Sequence, residues 1–548
     1  MNARLVVALW ALAAAATAEA GAAQSLGLAA GRDLPAWMTD WSPLVPRADL
    51  PHLLPSASAA QPLLLLPPPK VGLFWLTGNP GAIPGEVGEE YTNFMAAKSG
   101  TDGDYRRPLD PGGASLTQFS ALSWRPVGRR AAAIGRVIVD QETQSPGTFS
   151  DVTEPYSSSP FVVTDTTTGP MRRVRARFEG AAGARVGPWG LGAALGYETR
   201  DNYTLHAKFV RFDRQVLPAA TLGVTHSFGD SGLVLGVHGR LSRSAETVEL
   251  YPYGMPGGRV YQLEGYADVV ARDVSSYYRR MESDEASAGA GASGRLGGGH
   301  WVVFGEAARY RQWLWSQQYT DNPAKDRWEA RTWSVGAAAQ HELFGGRWLV
   351  TVQGRYTSLK GNGDLATDSA GAVIRDRNHS LSGSAEFRLL PIGGGWTGVA
   401  LISVVNERRE RRDSVAGIWT DLETLTPGIA VEAGRTVLKR LFISAGAAYA
   451  SYMPRGEIPE PLARGKVYTT LIAPEIEVYA TEAAVQAFSL SARWQVRDGM
   501  ALWASARSES LAPTENGLLR AAGLRPPGSR TAQYVAFGVA LTAPGVER

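Results

Sequence analysis

WGLGAALGYE, residues 189 to 198, alternates without a break. Trp189, Leu191, Ala193, Leu195 and Tyr197 fall on one side, Gly190, Gly192, Ala194, Gly196 and Glu198 on the other. Successive side chains of a strand point to opposite faces, so this period of two predicts a strand with one bulky apolar face and one small or charged face. The pattern spreads outward from there. Val174, Ala176 and Phe178 oppose Arg173, Arg175, Arg177 and Glu179, and Leu381, Gly383, Ala385, Phe387 and Leu389 oppose Ser382, Ser384, Glu386 and Arg388. Phe488 to Val496 repeats it against Ser489, Ser491, Arg493, Gln495 and Arg497, and Val535, Phe537, Val539 and Leu541 close the series. A soluble sandwich would reverse the volumes, packing its bulk between two sheets. A transmembrane barrel needs this arrangement, with an apolar belt facing lipid and a polar interior.

Connections alternate in length as such a barrel requires. Short turns fall near 126–130, 187–188, 229–231, 297–299, 345–346, 392–395, 437–439 and 497–499. Long polar connections lie between them, at 141–169, 199–216, 244–285, 315–327, 361–377, 408–419, 453–483 and 511–531. About seventeen segments from 115 to 541, plus an upward strand at 90–98 (EYTNFMAAK), give about 18 strands; the count falls to about 16 if weak segments such as 286–296 fail. The expected fold is all-β, a closed antiparallel transmembrane barrel with short periplasmic turns and long extracellular loops.

Three regions are expected. Residues 1–20 read as a signal peptide, with Arg4 before the apolar run Leu5–Ala18 and an A-x-A site at Ala18-Glu19-Ala20. Residues 21–89 form a Pro-rich extension or plug, whose Trp37, Trp41 and KVGLFWLTGNP run carry apolar side chains suited to docking. Residues 90–548 form the barrel.

Several runs resemble an uncharacterised family of bacterial outer-membrane β-barrel proteins. They are GNPGA (Gly78–Ala82), GDYRRPLDP (Gly103–Pro111), GRVIVD (Gly135–Asp140) and the segment Pro155–Gly169. The resemblance implies an exported barrel in the bacterial outer membrane, in contact with outer-membrane lipid and inserted by the barrel assembly machinery; it implies no ligand. Asn79-Pro80 is also similar to the Asn-Pro-Ala hatch motif of long-chain fatty acid transporters, with Gly81 as the third residue here. Trp75, Gly78, Asn79 and Pro80 are the plug or hatch candidates.

The 548 residues carry a formal charge of only +3, which argues against a nucleic-acid partner, and contain no cysteine, which excludes disulfides and thiol chemistry. Seven scattered histidines show no ligand spacing, and no G-x-S-x-G elbow or phosphate loop occurs. The chain therefore reads as no enzyme and as carrying no metal or cofactor. His226 and His341, near turns, read as interfacial residues. The loop aromatics, among them Tyr278, Trp313, Trp315 and Trp328, read as an upper girdle or a partner-binding surface.

The predicted lumen side carries Arg173, Arg175, Arg177, Glu179, Arg355, Glu386, Arg388, Glu432, Arg493, Arg497, Arg507 and Glu509. Arginine suits bidentate pairing with carboxylates, so these side chains form either an ion-pair network that stiffens the wall or a basic track that concentrates anions. The first three would run about 13 Å along one strand at ~3.3 Å per residue. The expected function is a channel or transporter for a small anionic or hydrophobic solute. The alternatives are a closed interaction barrel that presents its loops to protein partners, and an outer-membrane hydrolase. The hydrophobic-solute variant requires an ordered hatch and a lateral gap beside a kinked strand.

Overall fold

The computed structural model describes residues 71–87, 90–106, 111–145, 161–165, 170–204, 209–229, 232–252, 258–264, 269–274, 277–316, 326–364, 374–390, 395–414, 418–458, 473–514 and 517–543. The signal and most of the Pro-rich extension therefore lie outside the described residues, as does the loop part of the Pro155–Gly169 resemblance.

Two short helices, α1 (Leu73–Thr77) and α2 (Ile83–Glu86), precede the wall. The wall opens with β1 (Glu90–Gly103), β2 (Gly113–Val127) and β3 (Ala131–Gln144). After the short β4 (Phe161–Asp165) come β5 (Met171–Val186), β6 (Trp189–Thr204), β7 (Phe209–Phe228) and β8 (Leu233–Pro252). β9 (Gly258–Glu264) pairs with both β4 and β10 (Val269–Val274) in a separate three-stranded sheet. The wall resumes with β11 (Tyr277–Leu296), β12 (Gly299–Ser316), β13 (Asp326–Leu343), β14 (Trp348–Asp364), β15 (Ile374–Leu389) and β16 (Trp396–Asp413). β17 (Ile418–Leu425) and β18 (Gly428–Val437) are two halves of one crossing, parted at Pro427, which has no amide to donate to a ladder. β19 (Leu441–Glu457), the loop helix α3 (Ala473–Ala480), β20 (Glu482–Arg497), β21 (Met500–Thr514), helix α4 (Gly517–Ala522) and β22 (Arg530–Ala543) complete the chain.

Every neighbouring pair in the wall is antiparallel, and β22 pairs with β1 from Ala543↔Glu90 to Arg530↔Gly103. That last ladder closes an 18-strand barrel and leaves the wall no free edge. Short turns, of two residues at 187–188, 297–298 and 498–499, keep one end compact. Gly187 and Gly499 there take φ of 59° and 75°, a left-handed conformation in which a side chain would clash with its own backbone. At the other end two of the expected loops shrink, because β6, β7, β8 and β11 run through much of 199–216 and 244–285.

The outward faces carry the bulk. Leu195 is 67% exposed, and Phe119, Phe178, Leu222, Leu241, Phe488 and Phe537 share its outward direction. His226 lies between Trp189 and Phe228, its ring 4.4 and 4.6 Å from theirs, at the edge of this belt. Hydrocarbon accepts no unpaired backbone polar group, so a closed ladder with an apolar exterior is a membrane-spanning solution. The protein resides in the bacterial outer membrane. The belt is not a smooth cylinder: outward residues of β1–β3, β5–β8, β11 and β12, including Phe94, Phe178, Leu195, Tyr197 and Leu241, line an apolar concavity of about 1340 Å³.

Candidate functional site: the inner wall and the segments packed against it

The short-turn end is filled by residues 71–87. Gly78 ends α1 in the left-handed region at φ 73°, its N–H donating to the Phe74 carbonyl at 2.9 Å. The chain then turns through Asn79 into the 3-10 turn Pro80–Ala82, where Pro80 occupies a position that needs no amide donor. The Asn79 carboxamide oxygen accepts from the Gly81 N–H at 3.0 Å. Its NH2 group reaches the wall, donating to the Val237 carbonyl at 3.1 Å and the Val224 carbonyl at 3.4 Å. Thr225 donates to the Gly81 carbonyl at 3.0 Å. Glu86 accepts from the Phe74 N–H at 3.0 Å and ties α2 back to α1.

The wall is shaped to receive this turn. A Cβ on Gly190, Gly192 or Gly223 would collide with Gly81, Pro80 or Asn79, and one on Gly183 would stand 2.5 Å from the Pro80 carbonyl oxygen. Gly236 and Gly291 likewise clear space for Asn79 and Leu73. In the sequence these glycines are only the small face of their strands; in the structure they make the seat for residues 79–81. Leu73, Phe74 and Ile83 are fully buried there against Ile134, Ala181, Ala194 and Val302. Trp75 packs edge-on to Trp124 at 5.7 Å, and Trp124 stacks on Tyr91 at 4.4 Å.

At the loop end two more helices pack on the inner wall. α3 and α4 pack with inner-face residues Tyr310, Leu314, Trp328 and Leu359 through Ala473, Ile476, Ala480 and Leu519. Trp328 is wholly buried in this cluster, so it belongs neither to a girdle nor to an exposed surface. Gly361 and Gly363 leave room for its indole. Tyr105 donates to the Val478 carbonyl and Tyr452 to the Tyr479 carbonyl, each at 3.1 Å. Arg411 pairs with Glu475 at 3.0 Å, and Arg409 lies 5.7 Å over the Tyr479 ring. Burial, with the neighbouring Tyr479, pushes the Tyr105 hydroxyl well above the ordinary tyrosine range, which keeps it a donor.

Between these two segments the inner wall carries charge, much of it paired. Arg173 pairs with Glu142 at 3.3 Å, Arg175 donates to Asp140 at 2.7 Å, and Arg177 pairs with Glu179 at 2.6 Å and Glu198 at 3.7 Å. Glu198, fully buried, also holds Arg200. Across the barrel Arg388 pairs with Glu386 at 3.1 Å, and Arg507 with Glu509 at 3.0 Å. Glu432 accepts from Ser444 at 2.5 Å. Arg355 donates to Ser334 at 3.1 Å and lies 5.9 Å over the ring of Phe304, which packs against the plug. Arg493 faces inward in register with Phe442 and Trp503. Arg497 does not belong with these: the β20–β21 register shifts between Gln495 and Arg497, which breaks the alternation and leaves Arg497 exposed at the short-turn rim. The sequence-based choice of lumen residues left out Asp140, Glu142, Glu198 and Arg200, although each falls in the same period-two pattern as the charged residue it meets.

A sequence profile named Family of unknown function (DUF6850) matches residues 88–542, nearly the whole wall. The chain belongs to this family. No curated protein matches the family member's sequence. Among solved structures it is similar to the copper transporter OprC (9% identity, 83% of this chain and 81% of that one, TM-score 0.40). It is similar too to the siderophore receptor PiuA from Acinetobacter baumannii (10% identity, 81% of each chain, TM-score 0.37). The ferripyoverdine receptor of the Pseudomonas aeruginosa outer membrane gives 10% identity over 82% of this chain and 72% of that one, with a TM-score of 0.38. Likeness at this level says nothing about what the DUF6850 barrel carries.

Proposed function

We propose that this outer-membrane barrel is a gated transporter for a small solute, shut at the periplasmic end by residues 71–87 and at the loop end by α3 and α4. The observation that supports it most is the fit of Asn79, Pro80 and Gly81 to a wall stripped to glycine at Gly190, Gly192 and Gly223. A wall needed only for stability would bring larger side chains to that face, since buried apolar area stabilises by about 25 cal/mol per Å². Because Arg173, Arg175 and Arg177 each have a carboxylate partner, these arginines stiffen the wall while the barrel is shut; they act on an anion only after a change that parts those pairs.

A second observation favours the hydrophobic-solute variant. Pro218 interrupts the β7–β8 ladder, whose pairing lapses between Val216↔Ala245 and Ala219↔Ser242. Pro218 also lines the lipid-side apolar concavity. An ordered plug and a wall interrupted beside an apolar groove are what lateral passage of an apolar molecule requires.

The test is single-channel conductance of the refolded full-length protein in a planar bilayer, beside a variant lacking residues 71–87. A third protein combines that deletion with Tyr105→Phe and Tyr452→Phe to loosen α3. Silence in the full-length protein and conductance when both closures are weakened supports gating. Steady conductance in the full-length protein, or silence in all three when each is folded, rejects it; the latter leaves the closed interaction barrel.

A further inference from the structure

Above the apolar belt, on the outward face, four cations stand side by side across four strands. Arg309 of β12 pairs in register with Arg331 of β13, Arg331 with Lys360 of β14, and Lys360 with Arg377 of β15. Like charges directly opposite one another in a ladder destabilise it. Elsewhere on this outer face cations are matched locally: Arg243 pairs with Glu282 at 3.0 Å and with Asp284 at 3.7 Å, and Arg408 with Asp421 at 2.6 Å. Along the row the compensation from the described residues is thin. Glu329 alone lies within reach of four guanidinium groups, at 2.9 Å from Arg309 and Arg327, 3.4 Å from Arg331 and 3.9 Å from Arg311. Arg377 reaches Glu410 at 3.6 Å, but Glu410 is held more closely by Arg412 at 2.5 Å. Arg331 is 73% exposed and Arg377 52% at the side chain, so their charge is displayed outward.

Height in the membrane identifies what faces them. Trp333, two residues below Arg331 on the same outward face, is 47% exposed, and its ring lies 4.9 Å from that of Tyr356. The Tyr356 hydroxyl in turn meets His379 at 2.9 Å. This run of rings is an interfacial girdle. Two residues along a strand span about 7 Å at ~3.3 Å per residue, so the cation row begins one headgroup layer above the hydrocarbon boundary. The row lies at the loop end, toward the outer leaflet.

We propose that Arg309, Arg331, Lys360 and Arg377 form a docking strip for the phosphate groups of the outer-leaflet glycolipid, whose acyl chains lie against the belt below. The occupant is set by two features together. Phosphate oxygens suit this row, the three guanidinium groups binding them bidentately and Lys360 as a point charge, and continuity with the girdle selects a molecule that has acyl chains as well as phosphate. A free anion would gain only the first of these.

The experiment uses the full-length protein in detergent and measures the thermal unfolding shift caused by bisphosphorylated lipid A, by enzymatically dephosphorylated lipid A and by inorganic phosphate. The proteins are the wild type, the double variant Arg331→Gln/Lys360→Gln, and Arg243→Gln as a matched-cation control. Because all three substitutions lie on the outward face away from the plug, heat-modifiable gel mobility should stay as in the wild type, and any variant losing it is replaced by Arg377→Gln alone. The expected result is a shift with bisphosphorylated lipid A that needs at least about tenfold more lipid in the double variant, which lacks two of the charge-assisted phosphate contacts. Arg243→Gln should behave as wild type. Equal shifts with dephosphorylated lipid A, an unchanged titration in the double variant, or a full shift with inorganic phosphate alone overturns the proposal.

Discussion

Gly192 and Gly180 show how the value of one hydrogen atom depends on which face it occupies. They lie on neighbouring strands, yet a Cβ at Gly192 runs into Pro80 while one at Gly180 meets open space. Gly192→Ala should therefore loosen the plug by about 1–3 kcal/mol, the usual cost of overpacking, while Gly180→Ala leaves it in place. The chain has no cysteine, so a Thr77→Cys probe labelled by a maleimide reports plug exposure without background. Faster labelling is expected in Gly192→Ala only. Charge obeys the same logic. Glu198 has no exposed surface and stands between Arg177 and Arg200, so Glu198→Gln strands buried guanidinium charge and should cost about 3–5 kcal/mol. Arg214→Gln, which breaks an exposed pair with Asp201, should cost no more than about 1 kcal/mol. Urea unfolding of the two variants gives the comparison.

At the scale of elements, α3 is a piece that exists only by its docking contacts. An eight-residue helix is not stable alone in water, since nucleation is costly, and it holds its place through its buried face and through Tyr105 and Tyr452. Replacing both with Phe removes two hydrogen bonds of about 1 kcal/mol each, and amide exchange across 473–480 should quicken by tenfold or more. The raised Tyr105 hydroxyl gives this docking a pH limit. Its pKa is higher in the folded state than in the unfolded one, so the contribution is complete below the ordinary tyrosine value of about 10 and is lost as pH rises beyond it. Amide exchange at α3 should accelerate there beyond the base-catalysed rate in the wild type, and less so in Tyr105→Phe. None of this was legible in the loop sequence. A short amphipathic segment within 453–483 looks like any solvated connection until Trp328, over a hundred residues earlier, supplies the surface it covers.

For the whole molecule, closure is the property that matters. The β1–β22 ladder joins ends more than four hundred residues apart, and with it the wall can be tested as one object. Removing the plug alone leaves α3 and α4 in the mouth, so the gated reading expects the deletion of 71–87 to conduct rarely and the combined variant to conduct in long openings. Strand alternation, the sorting of short turns from long loops and the strand count were all legible in the sequence, because each depends on a period of two and on turn chemistry, which are local. The partners of the residues in those strands were not. Alternation says that Gly190 and Arg177 face inward, but only the closed tertiary structure brings Asn79 to Val224 and Glu198 between two arginines, because contacts across a lumen depend on which strands curvature sets opposite one another and what segment returns to fill the space.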